Sequence, residues 1–143
     1  AHRALLLPVR IAAGSLGPGC PHTDLYVSQQ HRIALTGAAL ELHFGFDQAF
    51  VPAKALLGDR AALDRDRTEV RYHHIVCERH VLLVANGLVS ESLLVGPEAR
   101  DSLPEAALAE LEMIFPDLSS YGSADQVAAV PMLTAKEGRL ALF

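Results

Sequence analysis

The sequence is poor in the features that would make several function classes easy to assign. It has no basic stretch: 17 acidic side chains against 12 basic ones leave a net charge of −5, so nucleic acid is not an expected partner. It has no apolar run of the roughly 18 residues that a membrane span needs, so no membrane is expected. It has two cysteines, Cys20 and Cys77, too few for a disulfide framework and not at a metal-ligand spacing, so both are expected reduced. No signal peptide is visible, because the opening Ala1-His-Arg-Ala-Leu-Leu-Leu-Pro8 is short and meets a proline. Nor is there an initiator methionine, and the chain reads as one entered partway along a longer protein. Internal repeats and low-complexity stretches are absent too.

What is present is a globular composition, half apolar and one-fifth charged, in 143 residues, enough for one domain with a sizeable core. The pattern is mainly β. Leu5–Ala13 reads as a strand with Pro8 at its start or edge, followed by a Gly/Pro-rich connector over Gly14–Thr23. Leu25–Val27 is a short strand, Ser28–His31 a turn, and His31–Leu35 returns to apolar alternation. Leu40, Leu42, Phe44 and Phe46 recur at period two, which predicts a strand over Ala39–Phe46. Ala53–Leu57 has room for one helical turn, and the charged Gly58–Thr68 reads as a solvated loop. Val70–Val76 and Val81–Val84 are β-branched and apolar, hence strands. Asn86-Gly87 predicts a type I′ hairpin returning along Leu88–Val95. After Gly96-Pro97 the texture turns helical: Ser102-Leu-Pro-Glu105 is a capping-box spacing, with a stripe at Leu108, Leu111, Ile114 and Phe115 and a stop at Pro116. Thr134-Ala-Lys-Glu137 repeats the capping spacing near the end. The expected division is residues 1–95, mainly β, and residues 96–143, a helical extension.

Two segments carry chemistry. In Ser28-Gln-Gln-His31 a hydroxyl stands three residues before an imidazole, at a turn, where both side chains can serve one small volume. The plain alternative is a turn-forming serine and a surface histidine. In Tyr72-His-His-Ile-Val-Cys-Glu-Arg-His80, alternation along a regular strand would put His74, Glu78 and His80 on one face and His73 and Cys77 on the other. That split argues against a His/Cys metal module, the third reading of these residues, which a helix would have favoured. No metal and no cofactor are expected.

Taken in order, the two segments resemble the histidine-bearing motifs of the hedgehog/intein (Hint) self-processing domains. Ser28-x-x-His31 is similar to Thr-x-x-His there, and Tyr72–His80 followed by Ala85-Asn-Gly87 to the second motif. Leu7-Pro-Val-Arg-Ile, Gly17-Pro-Gly, Asp24-Leu, Val51–Leu57, Glu78-Arg-His80, Ser90-Glu-Ser-Leu93 and Ile114-Phe-Pro-Asp-Leu118 look like the bacterial Hint_2-type branch, so the resemblance runs from about residue 5 to 120. It implies the C-terminal part of an antiparallel Hint β-fold with a short helical extension, N-terminally truncated. It also implies autocatalytic cleavage before a cysteine or serine nucleophile, by an N-to-S or N-to-O acyl shift. By the same resemblance Ser28 and His31 would activate the scissile amide, and His80, with His74 or Glu78, would assist proton transfer.

The departures are as instructive. No nucleophile opens the chain; Cys20 lies in the Gly/Pro loop and does not match that place. The aspartate of the second motif falls at His73, and the terminal His-Asn of inteins falls at Glu91-Ser92. Serine cannot cyclise as asparagine does, so splicing is not expected, and the chain alone is expected to be inactive. The partner implied is the chain's own upstream segment in cis, or a complementing N-terminal fragment. An incomplete β-fold would also leave strand edges through which the chain dimerises. A non-catalytic structural or interaction module on the same scaffold is the alternative. Compartment stays open, although members of the branch are often attached to exported bacterial proteins.

Overall fold

A computed structural model describes residues 6–116 and 128–142. The described chain divides into two compact units: residues 1–73, 82–91 and 130–143 form the first, and 74–81 and 92–129 the second.

The first unit holds two antiparallel sheets. Strands β1 (Val9–Ile11), β2 (Leu25–Val27) and β5 (Ala61–Leu63) make one, in the order β2-β1-β5. Strands β3 (Arg32–Thr36), β4 (Gln48–Pro52), β6 (Leu82–Ala85) and β7 (Leu88–Glu91) make the other, in the order β4-β3-β7-β6. The core is built on an apolar cluster: Val9, Ile11, Ile33, Leu40, Val51 and Ala53 are wholly buried and meet Leu56, Leu88, Leu133 and Ala141. Each such leucine or isoleucine stabilises the fold by roughly 1.5–3 kcal/mol relative to exposure. The fold is mainly β with short helices, as the sequence predicts.

The strands at Leu25–Val27 and after His31 stand where alternation puts them. The hairpin does too, with Asn86 at φ 50° and Gly87 at φ 79°, the two left-handed residues a type I′ turn requires. Four expectations are corrected. Ala39–Phe46 is not a strand: Ala39–Phe44 lies in helix α1 (Ala38–Phe44), which Gly45 caps. Leu40 is buried and Leu42 is 82 % exposed, so the period-two set splits, and Leu40 with Phe44 obeys the helical i, i+4 spacing instead. Val70–Val76 forms no strand, because no neighbouring strand pairs with it and β-branching alone supplies no ladder. The charged Gly58–Thr68 loop contains β5, and its charges are not all solvated: Asp64 accepts from Arg67 Nε at 2.6 Å. The first and last predicted strands shorten to Val9–Ile11 and Leu88–Glu91.

A closing segment belongs to this unit. Phe50 N–H donates to Pro131 O and Leu133 N–H to Phe50 O, both at 2.8 Å, so the segment pairs along the outer edge of β4. Helix α4 (Ala135–Ala141) follows, with a complete capping box: Glu137 N–H donates to Thr134 Oγ1 and Thr134 N–H to Glu137 Oε2. Gly138 lets it lie against β4 and the 3-10 turn Ala53–Leu56, for a Cβ there would meet Val51 Cγ1 at 2.8 Å and Ala55 Cβ at 3.2 Å. Arg60 donates to Ser15 O and to Leu142 O, tying the Gly/Pro connector to the end of α4.

The second unit contains helices α2 (Pro97–Ser102) and α3 (Glu105–Ile114). The helix predicted after Ser102 is there, but the capping box is not. Pro104 occupies the N-cap, and Ser102 Oγ donates to Ala99 O, closing the preceding helix. Leu108, Leu111 and Phe115 are half-buried and Ile114 is exposed. The motif Ile114–Leu118 runs beyond Pro116 out of the described residues, as do Ala1–Leu5. Among the described residues no helix is long and apolar enough to cross a membrane.

Candidate functional site

The Ser28–His31 turn joins β2 to β3. Its closure is local: His31 N–H donates to Ser28 O at 3.1 Å. Its placement is not. Lys54 N–H donates to Gln29 O at 3.0 Å, Ala53 N–H donates to His31 O at 2.8 Å, and Gln29 Nε2 donates to Leu7 O at 3.1 Å. Thus Ala53-Lys54 fixes the backbone on which Ser28 and His31 are carried, and Leu7, far from it in sequence, holds the Gln29 side chain between them. Both residues are half-buried.

Directly after His31 lies a contact that sequence reading missed. Glu91 on β7 is only 7 % exposed, and its Oε1 accepts from Arg32 N–H at 2.8 Å while Oε2 accepts from Arg32 Nη1 at 3.3 Å. A carboxylate buried without such partners would be strongly unfavourable, so the two residues are interdependent. Position 91 attracts notice in the sequence only as a replacement for the intein histidine; the partner lies 59 residues away, and no spacing rule connects them.

The candidate residues of the second segment lie in the second unit. His74 and Glu78 are exposed and His80 is 4 % exposed. The expected strand face of His74, Glu78 and His80 is therefore corrected: residues 72–81 carry no strand, so alternation does not govern where these side chains go. His80 Nδ1 accepts from Ala129 N–H at 3.1 Å, which puts the proton of the neutral ring on Nε2. Its neighbour Val81 is fixed by Ser92, which is wholly buried: Val81 N–H donates to Ser92 Oγ at 2.9 Å and Ser92 N–H to Val81 O at 3.0 Å. Cys20 and Cys77 are both free thiols. Among the described residues no three His, Cys, Asp or Glu side chains gather so as to hold a metal ion.

Two further segments of the motif set meet in the first unit. Asp24 Oδ1 accepts from Ala13 N–H and Oδ2 from Arg10 Nε, and these bonds hold its carboxyl below the ordinary aspartate range. Asp24 O accepts from Asn86 Nδ2, and Asn86 O accepts from His22 N–H at 2.8 Å. Gly87 is required twice over, by its positive φ and because a Cβ would stand 3.0 Å from Gly19 O. The hairpin tip at Asn86-Gly87 thus clasps the connector next to Asp24.

Comparison with known families gives the same assignment as these motifs. The family model described as Hint domain matches residues 1–97. No curated protein and no solved structure matches the chain. The chain belongs to the Hint domain family.

Proposed function

We propose that this Hint-family chain is the activating part of a self-processing domain that cleaves the peptide bond before a cysteine or serine carried by an upstream segment. The nucleophile's sulfur or oxygen attacks the preceding carbonyl carbon. The C–N bond breaks, the departing nitrogen takes up a proton, and a thioester or ester is left. Attack by water, a thiol or an alcohol then releases the upstream segment. Splicing does not follow, because Ser92 stands where asparagine would cyclise.

The observation that carries the proposal is the Ser28–His31 turn, held by bonds from two separate segments, the Ala53-Lys54 backbone and Leu7 O. So rigid a mounting is what positioning a proton donor beside a scissile amide demands. In this scheme His31 protonates the leaving nitrogen and Ser28 polarises the amide carbonyl. His80, with its proton on Nε2, assists breakdown of the tetrahedral intermediate, and His74 or Glu78 relays protons to solvent. The partner is the upstream segment in cis, or an N-terminal fragment supplied in trans.

One observation favours the second reading, a non-catalytic structural or interaction module. His80 is buried with Nδ1 accepting from Ala129 N–H, as a purely structural histidine would be. The two readings separate on mass spectrometry of the chain expressed behind its native upstream sequence. Self-processing yields two fragments cut before the cysteine or serine and none in His31→Ala. The interaction module yields intact chain in both.

A further inference from the structure

We propose that Glu91 is a positioning residue for His31, holding the His31–Arg32 peptide where the cleavage reaction needs it; this rests on the self-processing reading above. β3 and β7 pair at a single position, Ile33 with Ser90. One step along lie Arg32 and Glu91, still within the two strands but not a pair of that register. There the Glu91 side chain makes the contact: Oε1 accepts from Arg32 N–H at 2.8 Å and Oε2 from the Arg32 guanidinium at 3.3 Å. On the opposite side of the same peptide, Ala53 N–H donates to His31 O at 2.8 Å. The amide that carries His31 into β3 is therefore held from both sides, on one by backbone and on the other by a carboxylate.

A carboxylate is a costlier way to satisfy one N–H than a strand carbonyl, since its charge must be kept from water at 7 % exposure. What it provides is reach. The side chain bridges from Glu91 to the Arg32 N–H next to the one registered pair of these strands, and so holds the peptide between His31 and Arg32. The Arg32 guanidinium compensates the charge. Glu91 touches no reacting atom in this scheme and acts through the backbone of His31.

The test compares Glu91→Gln with Glu91→Asp in the chain expressed behind its upstream sequence. Glutamine keeps an acceptor at the same reach and loses the charge; aspartate keeps the charge and withdraws it by one methylene. Self-cleavage is followed by mass spectrometry, and exchange of the Arg32 amide proton and the His31 ring resonances are followed by NMR. Positioning predicts that E91Q stays near the wild-type rate, while E91D falls about 10- to 100-fold, the loss expected from a displacement of about 1 Å. The Arg32 amide would then exchange faster and the His31 ring signals move in E91D alone. E91D at the wild-type rate, or E91Q slower than E91D, overturns the proposal. If the wild-type chain does not cleave, the self-processing reading fails, and the NMR readouts decide this one: changes confined to E91D support it, and an unchanged Arg32 amide in E91D overturns it.

Discussion

Replacing Gly138 by alanine sets two effects of opposite sign against each other. Gly138 lies inside helix α4, and alanine there gains about 1 kcal/mol of helix propensity over glycine. Against that, the new Cβ would stand 2.8 Å from Val51 Cγ1 and 3.0 Å from Val51 Cβ. A rotamer change can move the γ-carbon but not the β-carbon, and Val51 is wholly buried, so the helix itself must shift. Overpacking of this kind costs about 1–3 kcal/mol, and contact with an immovable Cβ belongs in the upper half of that range. The net expectation is a loss of about 1–2 kcal/mol. With a urea slope of about 2 kcal/mol/M, the middle of the usual range, the unfolding midpoint should fall by roughly 0.5–1 M. Lys136→Ala, on the exposed side of the same helix, should stay within about 0.5 kcal/mol of wild type. A G138A midpoint at or above wild type would refute the reasoning. Propensity would then have won, and α4 would not lie against β4. The outcome matters beyond stability, because residues 130–142 fall outside the matched span 1–97, yet Leu133 and Ala141 join the core of the same unit.

Three other outcomes follow from particular contacts. Leu82 and Val84 are exposed on β6, an uncharged edge strand of its sheet, so the chain should self-associate there; Val84→Lys should abolish this in light scattering, and a wild-type monomer at all concentrations would contradict it. The Asp24 carboxyl, lowered by the Ala13 amide and then by Arg10, takes up a proton more readily in the unfolded chain. Its contribution is therefore present above the ordinary aspartate pKa and lost as pH falls through the lowered one, and Asp24→Asn should flatten the decline of the urea midpoint between neutral and acid pH. Gly87→Ala should cost at least about 1–2 kcal/mol from its positive φ alone, with the contact to Gly19 O added, measured by the same unfolding midpoint.

Where a local rule decides the structure, the sequence was legible. Asn86-Gly87 has no better use than a type I′ turn, and Thr134-x-x-Glu137 closes its box within four residues. Ser28-x-x-His31 was legible as a turn for the same reason. Misreadings came where two rules share one pattern or where a partner decides. Leu40, Leu42 and Phe44 satisfy both a strand period and, for Leu40 with Phe44, a helical one; the glycines at 37 and 45, both at positive φ, bracket the helix. Val70–Val76 has strand chemistry, but among the described residues its backbone contact with the chain after β7 is the bond from Leu93 N–H to Ile75 O, too little for a ladder. Ser102 lost its capping role to Pro104, whose ring cannot donate and which ends up as the N-cap. The Glu91–Arg32 contact was invisible because it joins two strands through a register that no local spacing encodes.

In the proposed function the Ser28–His31 turn activates a peptide bond before an upstream nucleophile. The most direct measurement is intact-mass spectrometry of the chain expressed behind its native upstream sequence, beside His31→Ala and a variant lacking the nucleophile. The account predicts a released upstream fragment cut before the cysteine or serine in wild type, and intact precursor in both variants. Intact wild-type precursor with a cooperatively folded domain, or a His31→Ala variant that cleaves as fast as wild type, would contradict it.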